Sequence, residues 1–461
     1  MSGINKEVFR QYDIRGLVGE ELSDEFVNLL GKAMGTYLLR KGFQEAIIGR
    51  DNRESSPVIR DQLVDGIRST GCNVIDIGEV ITPIFYYARV LYDIPGGAMI
   101  TGSHNPSEYN GFKIAADQGP GTIYGDEILK LYELMQALDF EKGTGSVTEK
   151  DPVDAYIHML CDKVTLGPKR LKVVVDCGNG TASNFAVAFL EKLNCDVVPL
   201  YCTSDPSFPN HHPDPIKTSN LTDLIAKVKE EKADVGVAYD GDADRIGAVD
   251  EKGNIIWGDT LMILYWREII KKYPGADVII EVKCSQSLED EVKRLGGNPI
   301  FYKTGHSLIK AKMKELGAVF TGEMSGHMFF ADEFFGFDDA LYATARLLRI
   351  LSHEEQTFSE LLADVPKYYA TPETRIDCPD NRKFAIVDQL VEEFKKDYEV
   401  IDIDGARVLF PGGWGLIRCS NTQPVIVARC EGKTEEDLES ITSIVKDKLL
   451  KFPEIKNFNW H

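Results

Sequence analysis

The chain has 461 residues, more than one hydrophobic core usually organises, so we expect two to four domains. Its residues are 43% hydrophobic and 27% charged, which is typical of a globular protein with large cores. The formal net charge of -21 at pH 7, without any run of basic residues, makes nucleic acid and anionic membranes poor partners.

Nine cysteines are scattered along the chain without a C-x-x-C pair, so the sequence predicts neither a zinc site nor a disulfide scaffold. Reduced thiols are typical of cytosolic proteins. The first residues lack the apolar stretch of a signal peptide, and no apolar run reaches about 18 residues. We therefore predict a cytoplasmic protein.

The first two-thirds of the chain alternate between predicted strands and helices, which is the pattern of an α/β fold. Ser23 is a suitable N-cap for a helix whose apolar residues share one face up to Leu38. Short apolar runs that lead into polar turns predict buried parallel strands within residues 46–51, 173–180 and 277–285.

Charged, glycine-containing or proline-containing segments mark the expected domain boundaries. We predict domains at residues 1–150, 151–253, 254–368 and 369–461. The last is expected to be a smaller α+β domain, in which a glycine-rich loop precedes a strand and an acidic helix follows Thr434.

The first candidate for chemistry is the segment TGSHNP, which follows a predicted strand. Gly102 allows a sharp turn that presents Ser103 as a nucleophile, and Lys113 lies on a strand that returns to the same place. His104 suggests a Ser–His hydrolase, but adjacent side chains on a loop seldom face each other, and the chain has no G-x-S-x-G motif. Taken alone, such a loop is more often a capped turn than a catalytic one.

Three aspartates at alternate positions, Asp240, Asp242 and Asp244, lie between two apolar strands. Such carboxylates can converge on a hard cation, Mg²⁺ or Ca²⁺. An EF-hand, with Glu251 as its twelfth residue, would need glycine where Arg245 stands and helices in place of the strands. A solvated acidic turn is the other alternative, but burying three like charges without a cation would be costly.

In the segment TGEMSGHMFF, Glu323, Ser325 and His327 alternate within a loop flanked by glycines. This arrangement suits hydrogen bonding to sugar hydroxyls, and an imidazole can exchange protons near neutral pH. The signal is weak when it is considered by itself.

Near the carboxyl end, a strand leads into a polar loop and a second strand ends at Arg429. The side chains of this loop, together with its backbone N–H groups, form a possible phosphate cradle. A polar hairpin loop is an equally good interpretation of this segment alone. The cradle residues are Arg418, Ser420, Asn421 and Thr422.

Considered together, these segments resemble the α-D-phosphohexomutases, specifically the phosphomannomutase/phosphoglucomutase branch. The resemblance covers essentially the whole chain, and the pair DGDADR with TGSHNP is highly specific. The segments that carry it are FRQYDIRG (9–16), GRDNRESSP (49–57), TGSHNP (101–106), VVDCGNG (174–180), FPNHHPDP (208–215), DGDADR (240–245), KTGHS (303–307), GEMSGH (322–327) and RCSNTQP (418–424).

The resemblance implies a four-domain, heart-shaped molecule of three related α/β domains and a smaller C-terminal α+β domain. Each domain would give one loop to a central cleft. Ser103 would carry a phosphoryl group, and Mg²⁺ would be bound by that group and by Asp240, Asp242 and Asp244. The phosphosugar would be the partner, and the chain would be a monomer or weak homo-oligomer.

The resemblance also implies roles for the remaining site residues. Glu323 and Ser325 would hold sugar hydroxyls, and the RCSNTQP loop with Arg429 would hold the phosphate that does not react. Arg15, Lys113, Arg245 and His327 would surround the transferring group, and Tyr12, Lys303 and His306 would line the cleft.

The implied activity is the reversible interconversion of hexose 1-phosphate and hexose 6-phosphate, with hexose 1,6-bisphosphate as intermediate and activator. RCSNTQP and GEMSGH differ from the forms typical of phosphoglucosamine mutases, which remain an alternative; a Ser-dependent sugar phosphatase is a weaker one. A non-enzymatic sugar-phosphate or Ca²⁺-binding module leaves the Ser103 segment unexplained.

Lys113, with its pKa lowered by cationic neighbours such as Arg15, or His327 could be the acid or base.

Overall fold

The computed structural model describes residues 4–119, 121–420 and 423–460. The chain folds into two compact units: residues up to 261 together with 325–362, and residues 262–324 together with those from 363 onward. Within the described ranges, no helix combines the length and the apolar character that crossing a bilayer requires. All nine cysteines are free thiols in this part of the chain.

The amino-terminal region forms a six-stranded sheet flanked by helices. After a 3₁₀ turn (Lys6–Val8), its elements are β1 (Ile14–Leu17), α1 (Asp24–Arg40), β2 (Glu45–Arg50), α2 (Ser56–Arg68), β3 (Asn73–Glu79), α3 (Thr82–Leu91), β4 (Gly96–Ile100), β5 (Tyr109–Ala116), α4 (Asp126–Ala137) and β6 (Val147–Glu149). The strand order is β1-β5-β4-β2-β3-β6, in which β5 alone among the inner strands is antiparallel to its neighbours.

Helix α1 begins as predicted. The Ser23 side chain accepts a hydrogen bond from the backbone N–H of Phe26 (3.2 Å), which satisfies one of the free donors of the first turn. Its apolar face is buried in a core shared with α2 and the sheet, where Leu30, Ile48 and Leu63 are fully buried.

The next region adds a five-stranded sheet to the same unit. Its elements are α5 (Val153–Lys163), β7 (Lys172–Asp176), α6 (Ala186–Lys192), β8 (Asp196–Leu200), α7 (Thr222–Glu231), β9 (Val235–Tyr239), β10 (Ile246–Asp250) and β11 (Ile255–Ile256), with 3₁₀ turns at Thr181–Asn184 and Thr218–Leu221. The order is β11-β10-β9-β7-β8. Because β9 and β10 are antiparallel neighbours, the segment 240–245 forms the tight connection between them, as predicted.

The third region contains short strands between longer helices. Its elements are α8 (Gly258–Ile269), β12 (Asp277–Glu281), α9 (Gln286–Arg294), β13 (Asn298–Tyr302), α10 (His306–Leu316), β14 (Phe320–Gly322), β15 (Met328–Phe330), α11 (Ala340–His353) and α12 (Phe358–Leu361). Strands β12 and β13 are parallel, so the predicted parallel strands are confirmed here as they are at β2 and β7.

The carboxyl-terminal region is the predicted α+β arrangement. Its elements are β16 (Tyr369–Ala370), β17 (Thr374–Asp377), α13 (Asp380–Phe394), β18 (Glu399–Ile401), β19 (Ala406–Phe410), β20 (Gly413–Cys419), β21 (Val425–Gly432) and α14 (Glu435–Leu449). The sheet is antiparallel in the order β16-β21-β20-β19-β18, with β17 also paired to β21. Thr434 and Asp437 form a capping box that starts α14.

Candidate active site

Ser103 lies in the turn between β4 and β5, which we call the Ser103 loop (residues 101–108). Its backbone is in the left-handed region, with φ of 47°, and its residue surface is 3% exposed. The Ser103 hydroxyl donates a hydrogen bond to Oδ2 of Asp240 (2.8 Å). The predicted nucleophile and the first predicted metal ligand therefore face each other.

The three aspartates of the β9–β10 connection are completely buried, and each offers an oxygen within 4.8 Å of the others. Oδ1 of Asp240 accepts hydrogen bonds from the backbone N–H groups of Asp244 and Arg245 (both 3.1 Å), which fold the turn around that carboxylate. The solvated acidic turn is therefore the wrong interpretation. The EF-hand is also wrong, because the carboxylate of Glu251 binds Ser359.

Two further groups from the amino-terminal region contact the aspartates. The hydroxyl of Thr82 donates to Oδ2 of Asp242 (2.6 Å), and Nζ of Lys113 donates to the same oxygen (2.8 Å) and to Asp244. Thr82 was missed by the sequence reasoning because nothing in its neighbourhood distinguishes it from an ordinary helix start.

The charges in this cluster are unevenly balanced. Burial, followed by the carboxylates of Asp244 and Asp242, raises the pKa of Asp240 well above its ordinary value. Burial acts in the same sense on Asp242, but the ammonium group of Lys113 outweighs it, and the pKa of Asp242 is lowered. The cluster thus holds one carboxylate whose negative charge is strongly disfavoured.

The expected direction of the Lys113 pKa is wrong. Burial by itself would lower the pKa of Lys113, but the facing carboxylates of Asp242 and Asp244 dominate and raise it. Arg15, the proposed cause of a lowered pKa, instead uses Nη1 to bind the Gly102 carbonyl (3.1 Å) and Asn105 Oδ1 (2.7 Å). These carboxylates therefore favour the charged form of Lys113.

The aspartate cluster suits a hard divalent cation. Its donors are carboxylate oxygens, the ligands that Mg²⁺ and Ca²⁺ prefer. Within the described part of the chain, Oδ1 of Asp242 and Oδ1 of Asp244 are buried without a hydrogen-bond partner. Buried carboxylate oxygens left in this way are costly, and a bound cation would remove that cost.

His327 joins the cluster through Arg245 and Asp338. Nε of Arg245 donates to Nε2 of His327 (2.9 Å), and Nδ1 of His327 lies 3.1 Å from Oδ2 of Asp338. Because Nε2 accepts a hydrogen bond, the proton of a neutral ring is on Nδ1, facing Asp338. Asp338 was not predicted from the sequence. The two consecutive aspartates before α11 could have indicated it, and the second of them, Asp339, is the N-cap of that helix.

In the described Ser103 loop, His104 does not pair with Ser103 as a hydrolase would require. Its Nδ1 lies 3.5 Å from Oδ2 of Asp214. Burial and the positive charge of Arg245 lower the pKa of His104 to about 3, so the ring is neutral at pH 7.

In the second unit, several predicted sugar-binding and phosphate-binding residues lie among buried charged groups. Oε1 of Glu323 accepts a hydrogen bond from the backbone N–H of Gly305 (2.7 Å). Nζ of Lys283 lies 3.1 Å from Oε2 of Glu373. Burial by itself would raise the pKa of Glu373, but the positive charges around it, of which Lys283 is the strongest, lower this pKa to about 2. Lys283 was not predicted, because the apolar run that contains it was interpreted only as a strand.

The remaining predicted residues are distributed between the two units. Arg418 donates through Nε to Asp404 (2.9 Å), Ser420 accepts from the backbone N–H of Gln423 (3.1 Å), and Arg429 donates to the Lys283 carbonyl. His306 is buried at the start of α10, whereas Lys303 is exposed and Tyr12 is half-buried. Ser325 belongs to the first unit. Asn421 and Thr422 lie outside the described residues.

Comparison with protein-family models gives four consecutive matches along the chain. They are described as phosphoglucomutase/phosphomannomutase alpha/beta/alpha domain I (residues 6–142), domain II (154–253), domain III (257–369) and C-terminal domain (373–448). Four such domains in succession define the α-D-phosphohexomutase class, and the predicted four-domain α/β architecture is confirmed.

Individual relatives agree. A phosphomannomutase/phosphoglucomutase of Pseudomonas aeruginosa is 45% identical, covering 96% of this chain and 95% of its own. A phosphoglucomutase of Neisseria gonorrhoeae is 42% identical over 97% of both chains. A crystal structure of a phosphoglucomutase/phosphomannomutase family protein from Burkholderia thailandensis superposes with a TM-score of 0.91 at 40% identity, covering 97% of this chain and 98% of the other. The chain therefore belongs to the phosphoglucomutase/phosphomannomutase family of phosphohexomutases, isomerases that transfer phosphate within a sugar.

Proposed function

We propose that this chain interconverts the 1-phosphates and 6-phosphates of mannose and glucose through a phosphorylated Ser103. The observation that carries the proposal is the hydrogen bond from the Ser103 hydroxyl to Asp240 inside a buried cluster of three aspartates. Relatives named for both sugars, at 44–45% identity over almost the whole chain, support the choice of substrates.

A phosphorylated Ser103 would bring a charge of about -1.5 to -2 into contact with three carboxylates. The repulsion would be severe without a cation, and Asp240, Asp242 and Asp244 would hold Mg²⁺ together with an oxygen of the phosphoserine. When bound, Mg²⁺ supplies neutralisation of these charges and Lewis-acid polarisation of the phosphoryl group.

The reaction requires two transfers. In the first, the free sugar hydroxyl forms a new bond to phosphorus, the bond from phosphorus to Ser103 Oγ breaks, and the hydroxyl proton passes to Oγ. In the second, the other phosphate of the hexose 1,6-bisphosphate returns to Ser103 by the reverse exchange. Each bond that breaks is matched by one that forms, so free phosphate is not a product.

Lys113 and Arg245 supply positive charge beside the transferring group. Because a charged Lys113 has no basic lone pair, His327 is the remaining candidate for moving the proton. Arg15 would support the same group through its hold on the Ser103 loop.

The sugar and its distal phosphate would be bound by the residues that the family resemblance implies. Glu323 and Ser325 would accept hydrogen bonds from hydroxyls, and Tyr12, Lys303 and His306 would line the binding site. Arg418, Ser420, Asn421, Thr422 and Arg429 would bind the distal phosphate. The buried positive charges of Lys283 and Arg418 support this assignment, since the global charge of the chain would not attract an anion.

The test is the fate of phosphate. With Mg²⁺, mannose 1-phosphate and a trace of glucose 1,6-bisphosphate, we expect mannose 6-phosphate and no release of inorganic phosphate. Glucose 1-phosphate should react likewise, and glucosamine 1-phosphate should react poorly. Release of inorganic phosphate in step with substrate loss would identify a phosphatase instead, and a preference for glucosamine 1-phosphate would identify the other mutase branch.

A second prediction concerns Lys113. We expect Lys113→Met to lower kcat about 100-fold, because a charge beside the transferring phosphate is lost. It should also destabilise the metal-free protein, since Asp242 and Asp244 lose their buried counter-charge. Added Mg²⁺ should raise the melting temperature of the variant more than that of the wild type, because Lys113 no longer competes for those carboxylates.

The matched control is Lys169→Met, which removes an ion pair with Asp234 (3.0 Å) in the same unit. It should leave kcat and the response to Mg²⁺ unchanged. A smaller Mg²⁺ response in Lys113→Met than in the wild type would contradict the placement of Lys113 on the metal ligands.

A further inference from the structure

Arg53 is a buried arginine, 2% exposed, that binds the backbone of the Ser103 loop. Its Nη2 donates to the carbonyls of Ser103 (2.8 Å) and Asn105 (2.6 Å). Its Nη1 donates to the carbonyls of Pro106 (2.6 Å) and Tyr109 (3.0 Å). One guanidinium therefore donates to three carbonyl groups of the Ser103 loop and to the carbonyl of Tyr109, the first residue of β5.

The guanidinium is itself fixed by Asp51. Oδ2 of Asp51 lies 3.2 Å from Nε of Arg53 and accepts the backbone N–H of Gly102 (3.0 Å). Oδ1 of Asp51 accepts from the backbone N–H of Arg53 (3.2 Å) and from the Ser56 hydroxyl (2.5 Å). The same carboxylate thus orients the arginine and the residue immediately before Ser103.

The Ser103 loop is shaped around this contact. A Cβ atom at Gly102 would overlap the Cζ and Nε atoms of Arg53, so the guanidinium lies directly against the backbone there. Ser103 has a positive φ of 47°, a conformation that is strained for a non-glycine residue and persists only where its surroundings impose it. The surroundings of Ser103 include the bonds from Arg53 to the carbonyls of Ser103 and Asn105 and the bond from the Ser103 N–H to the Thr101 hydroxyl (2.8 Å).

We infer that Arg53 is a positioning residue for phosphoryl transfer, which holds the Ser103 hydroxyl toward the aspartate cluster by fixing the Ser103 carbonyl and the backbone that follows it, while Asp51 fixes Gly102 before it. The inference rests on the proposed role of Ser103. Arg53 donates to the loop backbone and reaches the reaction through Ser103, so its loss acts on the transfer steps more than on substrate binding. A lysine cannot replace it, because a single ammonium group lacks the planar fork that reaches four oxygens.

The test compares Arg53 with Arg89, another buried arginine of the same unit. Arg89 donates to the carbonyls of Pro95 (2.9 Å), Asp117 (2.7 Å) and Gly121 (3.1 Å), away from Ser103. We expect Arg53→Lys to lower kcat about 100-fold with KM within threefold of wild type. Arg89→Lys should change kcat and KM by less than threefold, even if its melting temperature falls as much as that of Arg53→Lys.

The rate of phosphoryl transfer to the serine gives a direct reading. Transfer from labelled glucose 1,6-bisphosphate to dephosphorylated Ser103, followed in a single turnover, should slow in Arg53→Lys by the same factor as kcat. In Arg53→Ala, millimolar guanidinium should raise the rate of phosphoryl transfer at least tenfold, whereas methylammonium should not. A purely structural role would lower the yield of folded protein and would show no such rescue.

Gly102→Ala provides a second route if the arginine variants fold poorly. The added methyl group displaces the guanidinium while leaving Arg53 in the chain, and kcat should fall at least tenfold. Full activity of Gly102→Ala or of Arg53→Lys overturns the inference, as does an equal loss in Arg89→Lys. Ser103→Ala, assayed alongside, separates the two claims: if it is inactive while Arg53→Lys is fully active, the positioning role alone fails, and if it is active, the proposed function fails too.

Discussion

Replacement of Ser103 by alanine is expected to lower kcat at least about 10,000-fold, equivalent to about 5.4 kcal/mol of transition-state stabilisation. Both transfers require the same oxygen, Oγ of Ser103, as donor and acceptor of the phosphoryl group. The group nearest to Oγ is the carboxylate of Asp240, which cannot replace Ser103 as the phosphoryl carrier, because its other oxygen accepts hydrogen bonds from two backbone N–H groups. No partial activity is expected, because removal of the group that carries the phosphate interrupts both transfers.

The measurement separates chemistry from binding. Wild-type protein should take up one labelled phosphoryl group per chain from glucose 1,6-bisphosphate, and Ser103→Ala should take up none while its affinity for glucose 1-phosphate stays within about threefold. Ser352→Ala is the matched control: this serine is also buried in the first unit, and its hydroxyl donates to the Arg349 carbonyl (3.0 Å). Undiminished turnover of Ser103→Ala, or labelling of another residue, would refute the assignment.

Local sequence signals predicted the secondary structure well because each signal has a local cause. Ser23 caps its own helix, Thr434 forms a capping box with a residue three positions later, and the strands around Asp240 are short apolar runs bounded by a turn. The same holds for the motifs, since the Ser103 segment and the aspartate segment are each recognisable without knowledge of the other.

The sequence could not give the electrostatic balance of the site. The direction of the Lys113 pKa depends on which charges face its ammonium group, and these are Asp242 and Asp244, more than a hundred positions away along the chain. Asp338 and Arg53 were missed for the same reason, because their partners come from other segments. The roles assigned to Tyr12, Lys303, His306 and the phosphate-cradle residues remain predictions.

Substitution of Asp240 by asparagine should produce opposite effects on stability and on catalysis. Catalysis should fall about 1,000-fold, because one of three charged metal ligands becomes neutral. The concentration of Mg²⁺ that gives half-maximal activity should rise at least about 100-fold for the same reason. Removal of Mg²⁺ from the wild type by a chelator should abolish turnover, and re-addition should restore it.

Stability in the absence of metal should move the other way. Burial and two neighbouring carboxylates raise the pKa of Asp240, so its negative charge destabilises the folded state relative to the unfolded one. A group with a raised folded pKa costs stability as the pH rises above its unfolded value, about 4 for an aspartate. The metal-free Asp240→Asn variant should therefore melt at a higher temperature than metal-free wild type, and the difference should grow between pH 4 and pH 7.

Asp234→Asn distinguishes this effect from a general response to losing an acid. Asp234 pairs with Lys169 and accepts the backbone N–H of Lys172 (2.8 Å), so its replacement should lower the melting temperature and leave the Mg²⁺ requirement unchanged. If metal-free Asp240→Asn were instead less stable than wild type, the buried carboxylates would not repel one another as the structure indicates. The aspartate cluster destabilises the folded protein when the cation is absent and supports catalysis when it is bound. Measuring the melting temperature without metal and the turnover with Mg²⁺ on the same variant tests both effects.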